Sequence, residues 1–251
     1  QFSRKSMVTR SKSKKSYEIT RQNGKSTIRL PSGVRVAHPF YGPNTAKALR
    51  DAIRADGLTE PNGPVSAEFL ATAYSNEQEP EFNEARGIMR KRYFRVFEGH
   101  YYDGDSQKLF IAEPDFDSEG RITMQSTKQL EKRIKDGDER VRVLPFSKLH
   151  EVIANVGRPE GVAQVRPYLE LVYGEEGAEQ LLDVANKTRT QEIRTLLPSM
   201  PSTGEQKLRI AALGEDFNGD WLGVDGGYGG LLEDVHAFGV FPESAKPKEK
   251  K

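Results

Sequence analysis

Residues 208–240 read LRIAALGEDFNGDWLGVDGGYGGLLEDVHAFGV. Three short apolar runs, 208–213, 221–224 and 237–240, are separated by stretches rich in Gly, Asp and Asn. Runs of that length between turn residues predict strands, and the stretch as a whole predicts a closing β-meander with Trp221, the single tryptophan, as a core anchor. Just upstream, 175–187 has the period of an amphipathic helix, with Ala178, Leu181, Leu182 and Ala185 on one face. Helix and strand signals follow one another without steady β-α-β alternation. That predicts an α+β protein of mixed short helices and antiparallel strands.

Working outward, 191–197 reads as a strand and 162–173 as a helix that Pro167 breaks or restarts. Residues 147–161, with Gly157, Pro159 and Gly161, read as a connection between two lobes, 25–146 and 147–241. In the first lobe, 27–30 and 34–36 flank Pro31-Ser32-Gly33 as a hairpin. Three helices follow: one capped by Asn44 and running to Asp56, one over 66–74, and one over 80–92. Strands are expected at 93–98, 109–112, 121–124 and 141–144, with a short helix opened by a Ser126/Gln129 capping box.

The net charge is +1, unevenly placed. Residues 1–15 carry Arg4, Lys5, Arg10, Lys12, Lys14 and Lys15 and no acid, while 246–251 carry four lysines and one glutamate. The body between them is correspondingly acidic. Residues 1–24 and 242–251 therefore read as disordered basic arms, and six cations without an acid suit a polyanion such as nucleic acid or a ribonucleoprotein.

With no cysteine, disulfides, thiolate metal sites and cysteine nucleophiles are excluded. No apolar run approaches the ~18 residues of a membrane span, and the basic N-terminal stretch lacks the apolar core of a signal peptide. The expectation is a cytoplasmic protein with no membrane partner.

Candidate chemical motifs fail on their own spacing. Gln22-Asn23-Gly24-Lys25-Ser26 imitates the end of a P-loop, but Ile19 stands where that loop needs Gly. Gly226-Gly227-Tyr228-Gly229-Gly230 lacks the strand–loop–helix setting of a dinucleotide site. What it leaves is a ligand-loop candidate made of Trp221, Asp225, Gly227 and Tyr228, with aromatic faces for stacking. The 115–120 and 216–220 segments imitate calcium loops, but Ser126 replaces the closing Glu and Trp221 the Gly, so both read as Asx-rich turns. His38, His100, His150 and His236 form no ligand motif; Glu98, His100 and Asp103 converge only if their strand bends. The expected complement is therefore no metal and no cofactor. Arg86, Arg90, Lys91 and Arg92 beside Tyr93 and Phe94 read as a solvated helix face ahead of a nucleic-acid surface.

A resemblance rests on short words. Gly174-Glu175-Glu176-Gly177-Ala178-Glu179 opens a helix; then come 209–213, a Trp strand, a Gly/Tyr loop and Ala237-Phe238-Gly239-Val240. The first half has a comparable order, from Ile28-Arg29-Leu30-Pro31-Ser32-Gly33 through 94–98 to 141–146. In these words the chain resembles a set of uncharacterised prokaryotic, mostly archaeal, proteins over most of 27–241. The resemblance implies a shared fold and no site residue.

The leading expectation is a non-enzymatic binding or structural module whose arms contact a polyanion. The alternatives are an enzyme or small-ligand binder beside Trp221, and a virion or assembly subunit.

Overall fold

The computed structural model describes residues 17–119, 121–215, 220–226 and 235–242. In chain order these form β1 (Glu18–Gln22), β2 (Lys25–Arg29), β3 (Arg35–His38), β4 (Tyr41–Asn44), α1 (Ala46–Ala55), α2 (Gly63–Ser75), α3 (Pro80–Met89), β5 (Tyr93–Asp103), β6 (Lys108–Ala112), β7 (Asp115–Phe116), β8 (Ile122–Thr123), α4 (Thr127–Lys135), β9 (Arg142–Pro145), β10 (Ile153–Asn155), α5 (Pro159–Ala185), β11 (Glu192–Leu196), β12 (Gln206–Glu215), β13 (Trp221–Asp225) and β14 (Val235–Ala237). The class is α+β, with mainly antiparallel pairings.

The centre of the fold is β5. It is the longest strand, and all but its first residue are buried. Alternation sends Phe94, Val96 and Tyr102 into the main core under α2, α3 and α5. Phe97 points to the other face, into a smaller core with Leu49 and Ile53 of α1, and Tyr101 packs there with Leu130 of α4. Helices thus cover both faces of one nine-stranded sheet. Its main path runs β10-β11-β13-β12-β5-β14-β4, and β6 and β9 branch from β5. A separate three-stranded sheet, β1-β2-β3, leans on α3.

Several expectations are corrected. Residues 147–161, expected as a connection between lobes, include β10, which pairs with β11, and β12 runs antiparallel to β5 from Gln206↔Asp103 to Gly214↔Tyr93, so strands from both sides of the segment share one sheet. The C-terminal strands are not a meander. β12 and β13 are neighbours, but β13 pairs parallel to β11, and β14 lies across β5, parallel to it. Parallel pairing needs a crossover, which local turn signals do not encode. Trp221 is half-buried, with the Arg194 guanidinium 4.5 Å from its ring centre, while Leu222 and Val224 fill the core.

Within the expected N-terminal arm, Glu18–Gln22 is a strand, turned into β2 by Asn23 and Gly24 at φ +51° and +74°. The buried Glu81 carboxylate holds it, accepting from Arg21 Nε at 2.8 Å and Ser26 Oγ at 2.7 Å. Arg21 brings that carboxyl down to about 2. Tyr17 and Ile19 add only a short apolar contact with the core, so the ion pair carries much of the anchoring.

Thr45, not Asn44, caps α1, its hydroxyl accepting from Ala48 N. α3 ends at Met89, so Arg86 lies within it and Arg90, Lys91 and Arg92 follow it. Ser126 occupies the cap of α4 but makes no side-chain capping bond. The break in α5 falls at Gly174 (φ +74°, ψ 169°), and Pro167 stays within the helix. Glycine reaches the left-handed region without strain, whereas proline only fixes a helical φ and removes one donor.

Candidate functional site

A fork in the sheet creates a cleft beside β5. On the edge of β5 away from β12, β14 pairs with Tyr93 and Phe94, and β6 pairs with residues 99–103. Between them the α1–α2 loop takes the place of a strand. Phe97 N donates to the Pro61 carbonyl at 3.0 Å, and Gly63 N donates to Glu98 Oε1 at 3.1 Å. In front of this junction lies a cavity of 570 Å³ lined by Arg50 and Arg54 of α1, Glu60, Glu98, Glu113, Glu139, Arg140 and Arg142, with Phe97, Pro61, Pro64 and Pro114 as its apolar walls.

Six of the eight charges lining the cleft are paired with one another, and Arg140 pairs with Asp138 at 2.8 Å. Arg50 Nε and Arg54 Nε converge on Glu60 Oε1 at 3.0 and 2.5 Å. Arg50 is steadied from behind by the Phe116 ring, 4.9 Å from the guanidinium. At the floor, Arg142 Nη2 lies 2.8 Å from Glu98 Oε2, and its Nη1 donates to the Val172 carbonyl at 2.9 Å. Glu98 is buried, and burial pushes its carboxyl above the usual range, with Arg142 and Gly63 N–H opposing.

Behind Glu98 is a buried polar layer. His100 Nδ1 is 3.1 Å from the Glu98 carbonyl and Nε2 is 3.0 Å from Tyr168 Oη. A carbonyl only accepts, so the proton sits on Nδ1, and Nε2 accepts from the phenol. Burial lowers His100 to about 3, leaving it neutral, and raises Tyr102, Tyr168 and Tyr173. These groups order the wall between β5 and α5.

The site residues expected from sequence fall elsewhere. Arg4, Lys5, Arg10, Lys12, Lys14 and Lys15 lie outside the described residues, as do Gly227 and Tyr228. Trp221 and Asp225 stand at opposite ends of β13, Asp225 buried, and neither lines the cleft. Gly226 is the one described glycine of the expected loop. A Cβ there would meet Tyr168 Oη at 2.4 Å, and its carbonyl accepts from Tyr102 Oη at 3.1 Å, so close packing requires glycine.

Glu98, His100 and Asp103 do not converge. Asp103 lies on the opposite face of β5 and accepts from Ser106 and Gln206. Among the described residues, no three His, Asp or Glu side chains could share a metal ion. Asp117 forms an Asx turn, accepting from Glu119 N and Arg121 N at 2.9 Å. Arg86, within α3, pairs with Glu77, and Arg90, just after it, lies 3.6 Å from Glu215, so part of this basic stretch is neutralised.

The cleft is not legible as a motif, because its charges come from segments near positions 50, 60, 98, 113 and 140. The sequence holds one signal of it: Glu98 is an acid within a strand-like run, Phe94 to Tyr102, that also holds the basic residues Arg95 and His100. Comparison with protein-family models, curated proteins and solved structures gives no match. Every role assigned to these residues therefore rests on geometry.

Proposed function

We propose that the protein binds a small molecule carrying an acidic group, in the cleft at the sheet fork. The observation that carries this is the convergence of Arg50, Arg54, Arg140 and Arg142 on one 570 Å³ cavity with the buried Glu98 carboxyl at its floor. Guanidinium groups take carboxylate or phosphate bidentately, and a concave site with a perturbed carboxyl is the physical pattern of a ligand pocket. The test is a titration with citrate and with inorganic phosphate, comparing the natural chain with Arg54→Ala. Arg54 is half-exposed, and Glu60 keeps Arg50 as a partner when it is removed.

A second reading is favoured by the six cations without an acid in residues 1–15. In it, Arg4, Lys5, Arg10, Lys12, Lys14 and Lys15 neutralise phosphates of nucleic acid or a ribonucleoprotein. Affinity of the full chain for a DNA duplex or an RNA strand should then fall steeply between 50 and 200 mM salt, a span over which contact with several phosphates costs about a thousandfold. Replacing all six by Gln should abolish that binding. Salt-independent or unchanged binding would remove this reading.

A further inference from the structure

We infer that Glu113 is a built-in competitor of the cleft's ligand: its carboxylate holds the anion position on Arg50 and Arg54 and yields it to an incoming carboxylate or phosphate. This rests on the cleft being the ligand site. Two carboxylates meet the arginine pair, and they differ in kind. Glu60 Oε1 lies 2.5 and 3.0 Å from the two guanidiniums, with a side chain only 12% exposed. Glu113 Oε1 lies 3.4 Å from Arg54 Nη2 and 3.7 Å from Arg50 Nη2, with a side chain 65% exposed. The first is a fixture, and the second is a loose contact at the cleft's rim.

The backbone beneath Glu113 is fixed. Its carbonyl accepts from Gln125 Nε2 at 2.7 Å and from Tyr101 Oη at 3.4 Å, and Pro114 follows. Rotation of the side chain alone therefore clears the site, without any change in the fold. An exposed pair of such lax geometry contributes little, so its loss is cheap. The departing carboxylate leaves two guanidiniums sharing one fixed negative charge, which is an electrostatic vacancy for a single anionic group. A ligand presenting two oxygens in one plane can engage a guanidinium bidentately, which Glu113 does not do through Oε1.

The experiment is calorimetry of the full chain with citrate and, separately, inorganic phosphate, at fixed ionic strength. The variants are Glu113→Gln, Glu113→Ala, Arg54→Ala and Glu151→Gln, the last removing one exposed charge outside the cleft. Both Glu113 variants should tighten at least one probe by about twofold to tenfold, while Glu151→Gln should not. Which probe gains distinguishes a carboxylate ligand from a phosphate ligand. If the Glu113 variants bind no more tightly while Arg54→Ala still weakens binding, the competitor inference falls and the cleft reading stands. If Arg54→Ala also has no effect, or no variant binds either probe, both fall.

Discussion

Gly63→Ala should destabilise the fold by about 3 kcal/mol, although alanine is the better helix former. Gly63 opens α2, where a Cβ would lie 1.9 Å from the Val172 carbonyl oxygen and 2.8 Å from its carbon. Both atoms belong to the backbone of α5, so no rotamer relieves the overlap. α2 and α5 must move apart, which disturbs the Gly63 N to Glu98 bond and the Arg142 bond to the same Val172 carbonyl. Gly87 in α3 is the control. A Cβ there meets nothing within 4 Å, and Gly87→Ala should stabilise by about 0.5–1 kcal/mol. Urea unfolding of the two variants should give opposite signs; equal signs would refute the close α2–α5 contact.

Arg142→Met should cost about 3 kcal/mol near neutral pH and far less in acid. The substitution strands Glu98 as a buried charge with only the Gly63 N–H as a donor. Burial already pushes the Glu98 carboxyl up, and losing Arg142 pushes it further. An acid whose folded pKa exceeds its unfolded value binds more protons when folded. Its stabilising contribution is complete below the unfolded pKa and is lost as pH rises through the folded one. The penalty of Arg142→Met should therefore be small near pH 4 and grow towards neutrality. Adding Glu98→Gln should recover most of it. A penalty independent of pH, or no recovery in the double variant, would show that Arg142 acts through packing alone.

What the sequence discloses and what it hides follow from the range of the interactions involved. The hairpin around Ser32, the inward faces of α2 and α3, and the helix from Glu175 are encoded by period and turn chemistry within a dozen residues, and the structure has them in place. β1 escapes a reading by pattern because only Ile19 of its five residues is partly buried, and an ion pair with Glu81, 60 residues away, supplies much of its anchor. The position of β14 is hidden because its neighbours β4 and β5 lie far back in the chain. The same distance hides the cleft. Arg50 and Arg54 show only as polar positions of an amphipathic helix, and Glu113 as one acid among many. Glu98 and His100, in contrast, stand out as polar residues in an apolar strand, but they suggest a metal site that the geometry of β5 does not assemble.

The central claim is that the arginine cleft holds an anion, and the most direct measurement is the citrate and phosphate titration of the natural chain against Arg54→Ala. Removing one charge-assisted hydrogen-bond donor from a partly enclosed site should weaken the bound probe about tenfold or more, with the thermal stability of the unliganded chain nearly unchanged. Equal affinity in the two proteins for whichever probe binds, or no binding to the natural chain at all, would contradict it.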